Sequence, residues 1–439
     1  MKGLRSTSLH PALPRIAFRF ACAYFFLYVT STPLLIVPGG GWIYSRFSKL
    51  WETVVPWFGK HVLHLATDIT VFPNGSWDTT FNYVQILLFL ALAAAAALVW
   101  SRYGARRSED ASDPDPRIAD GLRIALRYVL AAYMLSYGMA KIVKAQFSFP
   151  GPERLLQTYG QSSPMGLLWT FMGYSRGYNL FCGLAEVGGG LLLFFRRTTT
   201  LGALLVSAAM ANVVMLNLCY DVPVKTFSGH LLLMAVFLLL PDLRRLANVF
   251  VLNRPTEPVV LRAQFRARWM ERARWVLKSV VIGWCLIGEM QSNLKAYTTR
   301  GDLAPPPALY GIYEVEAFTR NGEPRAPLLG DAARWRAMTV NRRRLLTVQW
   351  MNDKVTHFRM VDDPAKKTLT LSPLSDDPAA PETNEKFVLT YDRPDPEHLA
   401  LKGLLRKDTL DVRLRKVDES QFVLVSRGFH WINEYPFHL

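Results

Sequence analysis

Long apolar runs fill the first two thirds of the chain, and a polar, alternating pattern follows them. A membrane-spanning helix needs about 20 predominantly apolar residues, because lipid offers no partners for backbone hydrogen bonds. Seven segments meet this requirement: residues 16–37, 81–100, 122–143, 177–195, 199–219, 228–248 and 275–291. A shorter apolar stretch precedes the fourth segment. The pattern predicts a polytopic α-helical membrane bundle of about seven spans.

Residues 298–439 follow a two-residue period, which is typical of half-buried strands. Alternating segments recur between turn residues, at 310–318, 345–350, 358–361, 369–371, 387–391, 410–414 and 422–425. Asn321-Gly322 and Asp362-Asp363-Pro364 supply turn chemistry. We therefore expect a soluble antiparallel β domain, either a small closed barrel or a β sandwich without a ligand cavity.

The basic residues add an orientation to this picture. The chain has a formal net charge of +16, and Lys and Arg are concentrated in the N-terminal tail and in the second, fourth and sixth connections. By the positive-inside rule, this alternation predicts a multi-pass protein of the inner (plasma) membrane, with a cytoplasmic N-terminus and an extracytoplasmic C-terminal domain. Because the charges flank apolar spans, the expected partner is the lipid bilayer and not nucleic acid.

Ionisable groups inside a membrane are costly, so each is a candidate site residue. Spacings of four, four and three residues place Tyr133, Tyr137, Lys141 and Lys144 on one face of the third predicted span. Glu186 lies near the middle of the fourth predicted span, within a run of small residues that permits close helix approach. It requires a proton, a cationic partner or a water-filled cavity. The alternatives are a snorkelling Lys144 and a plain packing seam at the glycines.

The fifth and sixth predicted spans add polar groups at the same end. We expect Asn217, Asp221, Lys225 and His230 to line one polar cavity in the outer leaflet together with Lys141 and Glu186. The alternative is a set of unrelated helix-end groups and interhelical hydrogen bonds. The candidate catalytic residues are Lys141, Glu186 and His230. The candidate cofactor-binding residues are Tyr137, Lys144, Asn212, Asn217 and Asp221. No metal site is expected, since His61, His64 and Asp68 offer three ligands on one helical face without a fourth.

Several short motifs occur together between residues about 120 and 250: Tyr137-Gly-Met-Ala-Lys141, Gly183-Leu-Ala-Glu186-Val-Gly-Gly-Gly, Arg196-Arg197, Leu201-Gly-Ala-Leu and Asn212. In these motifs the core resembles the DoxX family of small bacterial membrane proteins. The resemblance implies a four-helix unit and an association with quinone chemistry. The expected domains are a two-span extension with an interfacial outer loop (1–118), the DoxX-like core (119–255), a basic linker with the final span (256–297) and the β domain (298–439).

A second resemblance involves the stretch from Gly229 to Pro241. It is similar to a helix of vitamin K-dependent carboxylase-like membrane domains, in which a lysine and a histidine act on a quinone. This implies an enzyme for a lipophilic substrate, with Lys141 and His230 as the matching residue types. A transporter using the same cavity is the third alternative. A quinone is the cofactor these resemblances suggest, and a lipophilic small molecule or a protein bound by the β domain is a further expected partner.

Overall fold

The computed structural model describes residues 15–30, 40–71, 75–104, 116–258, 267–374 and 385–437. The chain divides into two compact units. The helical unit comprises the described residues of Met1–Val143 and Arg176–Asn293, and the β unit comprises those of Lys144–Ser175 and Leu294–Leu439. The β unit therefore includes a segment that precedes the strands by more than a hundred residues.

The helices are numbered in chain order. They are α1 (Arg15–Val29), α2 (Gly41–His61), α3 (Thr80–Gly104), α4 (Pro116–Ile142), α5 (Pro152–Leu156), α6 (Pro164–Tyr174), α7 (Arg176–Leu193), α8 (Thr199–Cys219), α9 (Lys225–Leu239), α10 (Leu243–Phe250), α11 (Arg268–Arg300) and α12 (Val423–Ser426). The core of the helical unit includes aliphatic side chains with no exposed surface, such as Leu126, Leu130, Met134, Leu193 and Leu238, together with buried aromatic rings.

The expectation of about seven spans is wrong. In the described part of the chain, three helices are long and apolar enough to cross a membrane: Thr80–Tyr103, Thr199–Cys219 and Lys225–Phe250. Length and charge explain the difference. Helix α1 has 15 residues, and residues 31–37 of that predicted span lie outside the described residues.

The other three predicted spans lie in helices that carry charges. Helix α4 includes four cations, Arg117, Arg123, Arg127 and Lys141, while the 18 residues of α7 include Arg176 and Glu186. The last predicted span is the middle of α11, whose 33 residues begin and end in charged segments. Apolar runs in these helices serve packing within the helical unit as well as any contact with lipid.

The β unit contains a closed antiparallel barrel. Its strands are β1 (Gly311–Arg320), β2 (Glu323–Pro324), β3 (Trp335–Val340), β4 (Leu345–Trp350), β5 (Val355–Asp363), β6 (Thr368–Pro373), β7 (Phe387–Asp392), β8 (His398–Leu405) and β9 (Asp408–Val417). Each long strand pairs with the next, β1 pairs with β3, and pairing of β1 with β9 closes the barrel, while the two-residue β2 adds to the end of β1. Of the two alternatives, the structure therefore has the barrel and not the sandwich.

The barrel core follows from alternation along the strands. In β7, Phe387, Leu389 and Tyr391 are buried while the residues between them are exposed. The inward side chains form one cluster that includes Met338, Leu346, Val348, Leu369 and Val412. Residues 422–425, which alternate in sequence, do not form a strand, since Val423–Ser426 is a short helix. A run of four residues does not distinguish the two periods well.

Candidate functional site

Close approach of two antiparallel helices positions the first group of site residues. A Cβ built on Gly138 of α4 would lie 2.8 Å from the carbonyl oxygen of Gly183 on α7, and one built on Gly183 would lie 2.6 Å from that of Gly138. Farther along, a Cβ on Gly190 would lie 2.9 Å from Met134 Cβ. Only glycine permits this backbone contact, so the small residues of α7 form a true packing seam.

Lys141 and Glu186 face each other across this seam. Lys141 Nζ donates a hydrogen bond to Glu186 Oε2 at 2.9 Å, and both side chains are buried. The Lys141 ammonium also lies 5.8 Å from the ring centroid of Tyr137, a cation–π distance. An isolated buried carboxylate would be strongly destabilising, and the paired ammonium satisfies it. The structure thus brings together three residues that the sequence singled out.

His230 belongs to a different cluster, formed with α1. Its ring stacks on Tyr28, with centroids 4.0 Å apart and an interplanar angle of 8°. Nε2 lies 2.5 Å from the Tyr24 hydroxyl, and Nδ1 lies 2.6 Å from the Thr226 carbonyl oxygen. Because a carbonyl only accepts, Nδ1 carries the proton, and in the neutral ring Nε2 accepts from Tyr24.

Asp78 positions the start of the helix that bears His230. Its carboxylate accepts hydrogen bonds from the backbone N–H groups of Lys225 and Thr226, at 2.7 and 2.8 Å. These are first-turn donors of α9, which have no partner within the helix. A carboxylate also interacts favourably with the positive end of the helix dipole. Asp78 therefore caps α9 from a distant part of the chain.

A cavity of about 240 Å³ lies among α1, α2, α3, α4 and the start of α9. Its walls are mostly aromatic and include Tyr28, Trp51, Trp77, Tyr133 and Phe227. Polar groups are contributed by Ser48, Glu52, Asn82, Gln85 and Thr226. Lys141, Glu186 and His230 do not line it, but Tyr28 connects it to His230, and Phe227 packs on Tyr137 at a centroid distance of 5.8 Å.

The remaining sequence-derived candidates lie elsewhere. Asn217 Nδ2 donates to Ser228 Oγ at 3.0 Å. Asp221 is exposed and pairs with Lys225 at 2.8 Å, and Asn212 is exposed on α8. Lys144 belongs to the β unit, where its Nζ is 2.5 Å from Asp302 Oδ2. Within the described residues, no hydrogen bond or ion pair joins these groups to Lys141, Glu186 or His230.

Sequence reasoning missed Tyr24, Tyr28, Asp78 and Asp302. The two tyrosines are four residues apart on α1, a spacing that puts them on one face, and this was the available signal. For Asp78 and Asp302 no local signal exists, because each binds groups far away in the sequence. At the end of α2, His61 Nδ1 contacts the Trp57 carbonyl, and Asp68 beyond the helix pairs with Lys60. No metal-binding group of His, Cys, Asp or Glu occurs among the described residues.

Comparison with known proteins identifies one relative. The uncharacterized protein YwoB of Bacillus subtilis (strain 168) is 36% identical to this chain over 124 residues, which make up 79% of YwoB and 28% of this chain. This chain belongs to the YwoB family. The match to YwoB covers under a third of the chain and brings no activity with it. No protein-family model and no solved structure matches the chain, so its resemblances to DoxX and carboxylase-like proteins stay predictions.

Proposed function

We propose that this chain is a DoxX-like membrane component whose helical unit binds a quinone-type lipophilic molecule. The observation that carries the proposal is the aromatic cavity of about 240 Å³, which is lined by Tyr28, the ring that stacks on His230. Ligand sites of about 300–1,000 Å³ hold drug-sized molecules. A slightly smaller cavity suits a single substituted ring whose tail extends into lipid.

The lining matches the chemistry of a quinone headgroup. Such a headgroup is a flat apolar ring with two carbonyl acceptors, and aromatic rings favour offset or edge contacts with it. Tyr28, Trp77 and Phe227 supply rings, while Asn82 and Gln85 supply amide donors. Two rings, Tyr137 and Phe227, lie between the Lys141–Glu186 pair and the cavity. We assign it a positioning role and no contact with the ligand.

Purification in mild detergent tests this proposal directly. Solvent extraction of the purified full chain and mass spectrometry should recover a quinone in a fixed ratio to protein. Tyr133 lines the cavity and Tyr128 does not, although both are half-buried tyrosines of α4. We expect Tyr133→Leu to lower the recovered amount of quinone severalfold, because the lost ring contacts are worth about 1 kcal/mol. Tyr128→Leu should leave the recovered amount near the wild-type value.

Recovery of protein with no quinone, or equal loss in both variants, would refute the assignment of the cavity. A protein carrying phospholipid alone would do the same, because a phospholipid lacks the flat ring for which the lining is suited. Melting temperatures of the two variants must match for the comparison to be valid, since each substitution removes a similar volume from the helical unit.

The proposal places the protein in the plasma membrane, with a cytoplasmic N-terminus and the β unit outside as a ligand- or partner-binding domain. The basic residues of the N-terminal tail support a cytoplasmic N-terminus, and three crossings by the candidate spans would put the β unit on the opposite side of the membrane. A single cysteine at Lys366, whose side chain is 79% exposed, tests it once Cys22, Cys182, Cys219 and Cys285 are replaced by alanine. A membrane-impermeant maleimide should label it in intact cells, and labelling only after lysis would reverse the orientation.

A further inference from the structure

One end of the barrel contains a cavity of about 480 Å³. It lies where β1, β4 and β8 end and where β3, β5 and β9 begin, since residues at those strand ends line it. The rest of the barrel core contains mostly aliphatic side chains, such as Met338, Leu346 and Leu369, with Tyr313 and Tyr391. The cavity is within the size range of small-molecule sites, about 300–1,000 Å³.

Aromatic rings form the inner walls of this barrel-end cavity. Phe318, Trp335, Trp350, Phe358 and Phe387 line it. Trp335 packs edge-on against Trp350, with centroids 6.3 Å apart and planes at 88°, and lies 5.9 Å from the centroid of Phe318. Such walls favour a flat apolar occupant, because ring contacts add to the free energy of surface burial.

The rim of the cavity is cationic. Arg320 forms an ion pair with Asp408, so these two charges offset each other. Lys354 and Arg406 also line the cavity, and neither has a carboxylate partner among the described residues. An anionic group on the occupant would meet two uncompensated positive charges there.

The indole nitrogen of Trp335 in the cavity wall is a buried hydrogen-bond donor without a partner in the described part of the chain. The Trp335 side chain is almost completely buried. By contrast, the indole nitrogen of Trp350 donates to Thr356 Oγ1 at 2.9 Å. A buried donor without an acceptor costs about 1–3 kcal/mol. The nitrogen has almost no exposed surface, so an occupant must shift a neighbouring side chain to place an acceptor against it and remove that cost.

We propose that the barrel-end cavity binds a small aromatic anion: a flat apolar body held among Trp335, Trp350 and Phe358, a carboxylate at Lys354 and Arg406, and a hydrogen-bond acceptor for the Trp335 indole. The proposal refines the ligand-binding role given to the β unit above and does not depend on the quinone of the helical unit.

Equilibrium dialysis of the full chain in detergent, with three related probes, tests each element of the proposal. The probes are 6-hydroxy-2-naphthoate, 2-naphthoate, which lacks the acceptor, and 2-naphthalenemethanol, which lacks the charge. Each missing group should weaken binding about tenfold, the usual range for hydrogen bonds and charge-assisted contacts. Equal binding of the alcohol and the acid would overturn the anion assignment.

Two variants locate the site. Arg406→Gln removes a rim cation, and we expect it to weaken binding of 6-hydroxy-2-naphthoate about tenfold. Lys367→Gln is the matched control, because Lys367 is also a cation in a turn with positive φ but does not line the cavity. Trp350→Leu should weaken binding of all three probes.

Unchanged binding in Arg406→Gln and Trp350→Leu would overturn the proposal, as would an equal loss in Lys367→Gln. Quinone recovered from the same samples keeps the two proposals separate. Trp350→Leu should leave the recovered quinone at the wild-type amount. If the quinone is absent while 6-hydroxy-2-naphthoate still binds as expected, only the proposal for the helical unit fails.

Discussion

Buried cations of the helical unit contact two kinds of acceptor. Lys141 pairs with the carboxylate of Glu186, whereas Arg127 and Lys278 donate to the carbonyl oxygens of Leu193 and Phe194 at 3.0 and 2.9 Å. Those carbonyls lie at the end of α7, where the last turn has no backbone donors and the helix dipole is negative. A cation without a formal partner is therefore still compensated, and the Lys141–Glu186 pair stands out as a charge pair between two helices.

Breaking that pair from one side should cost more than removing both charges. Glu186→Leu or Lys141→Met leaves one buried charge unpaired, which costs about 3–5 kcal/mol. The double variant replaces the pair by apolar side chains of similar volume and should recover most of the loss. Thermal unfolding of the four proteins in detergent measures this coupling, and additive single effects would show that the pair is not energetically coupled.

At the rim of the barrel, Asp408 is the acidic partner of Arg320. Hydrogen bonds from Arg320 and Asn321 to its carboxylate hold the pKa of Asp408 below its usual value. A carboxyl with a lowered folded-state pKa contributes stability above the unfolded-state pKa, about 3.9, and loses it as the pH falls through the folded value.

The loss of barrel stability at low pH should therefore depend on Asp408. In Asp408→Asn, the melting temperature should be lower at pH 7 and should change less than in the wild type between about pH 5 and pH 2. Asp411→Asn is a control, because Asp411 also forms an exposed ion pair, with Lys402. If Asp408→Asn and the wild type lost stability in parallel as the pH fell, the role of Asp408 in acid unfolding would be excluded.

At the scale of elements, the hydrophobic pattern predicts helices correctly and misjudges how many of them can span a membrane. A long apolar run is required both for lipid contact and for burial inside a bundle of helices. Helices α4 and α7 illustrate burial inside a bundle, since the glycine seam and the Lys141–Glu186 ion pair lie at the contact between the two helices. Helix α8 fits lipid contact, because exposed apolar residues such as Leu201 and Met215 lie along it.

The glycine seam leads to a prediction about α7. In Gly183→Ala, the added methyl would meet backbone atoms, the Gly138 oxygen at 2.6 Å and the Ile142 nitrogen at 2.9 Å, so two helices must separate. Overpacking of this kind costs about 1–3 kcal/mol. In Gly188→Ala the nearest atom is 3.9 Å away, and the gain in helix propensity makes it neutral or stabilising.

Melting temperatures of the two variants test the seam, because both substitutions are chemically identical and lie on one helix. Gly183→Ala should also perturb the Lys141–Glu186 pair, and its effect should therefore be smaller in the double variant Lys141→Met/Glu186→Leu. Equal stability of Gly183→Ala and Gly188→Ala would mean that α4 and α7 do not touch at this point.

At the scale of the whole molecule, the division into units does not follow the order of the sequence. Residues Lys144–Ser175 lie between two helices of the helical unit, yet they belong to the β unit. Asp302 holds this segment: one carboxylate oxygen accepts from Lys144 Nζ and the other from the Phe149 backbone N–H at 2.8 Å. Asn341 adds a hydrogen bond to Glu153 at 3.2 Å.

Loss of Asp302 should therefore release this segment from the β unit. Asp302→Ala leaves a buried ammonium and a backbone N–H unpaired, at a cost of about 3–5 kcal/mol. Hydrogen exchange at the Phe149 amide should accelerate strongly, whereas Asp411→Ala, which breaks an exposed pair worth at most about 1 kcal/mol, should leave it unchanged. Retained protection of Phe149 in Asp302→Ala would contradict this role.

The sequence by itself determined the local periods: helical apolar runs, then two-residue alternation of a β domain, because side-chain spacing on a helix or strand is a local property. It also marked Lys141 and Glu186, because buried charges are rare. Only the tertiary structure decided that these two pair, that Tyr24 and Tyr28 enclose His230, that β1 and β9 close a barrel and that residues 144–175 join it. Each of these depends on contacts between residues far apart in the chain, and local patterns carry no information about such contacts.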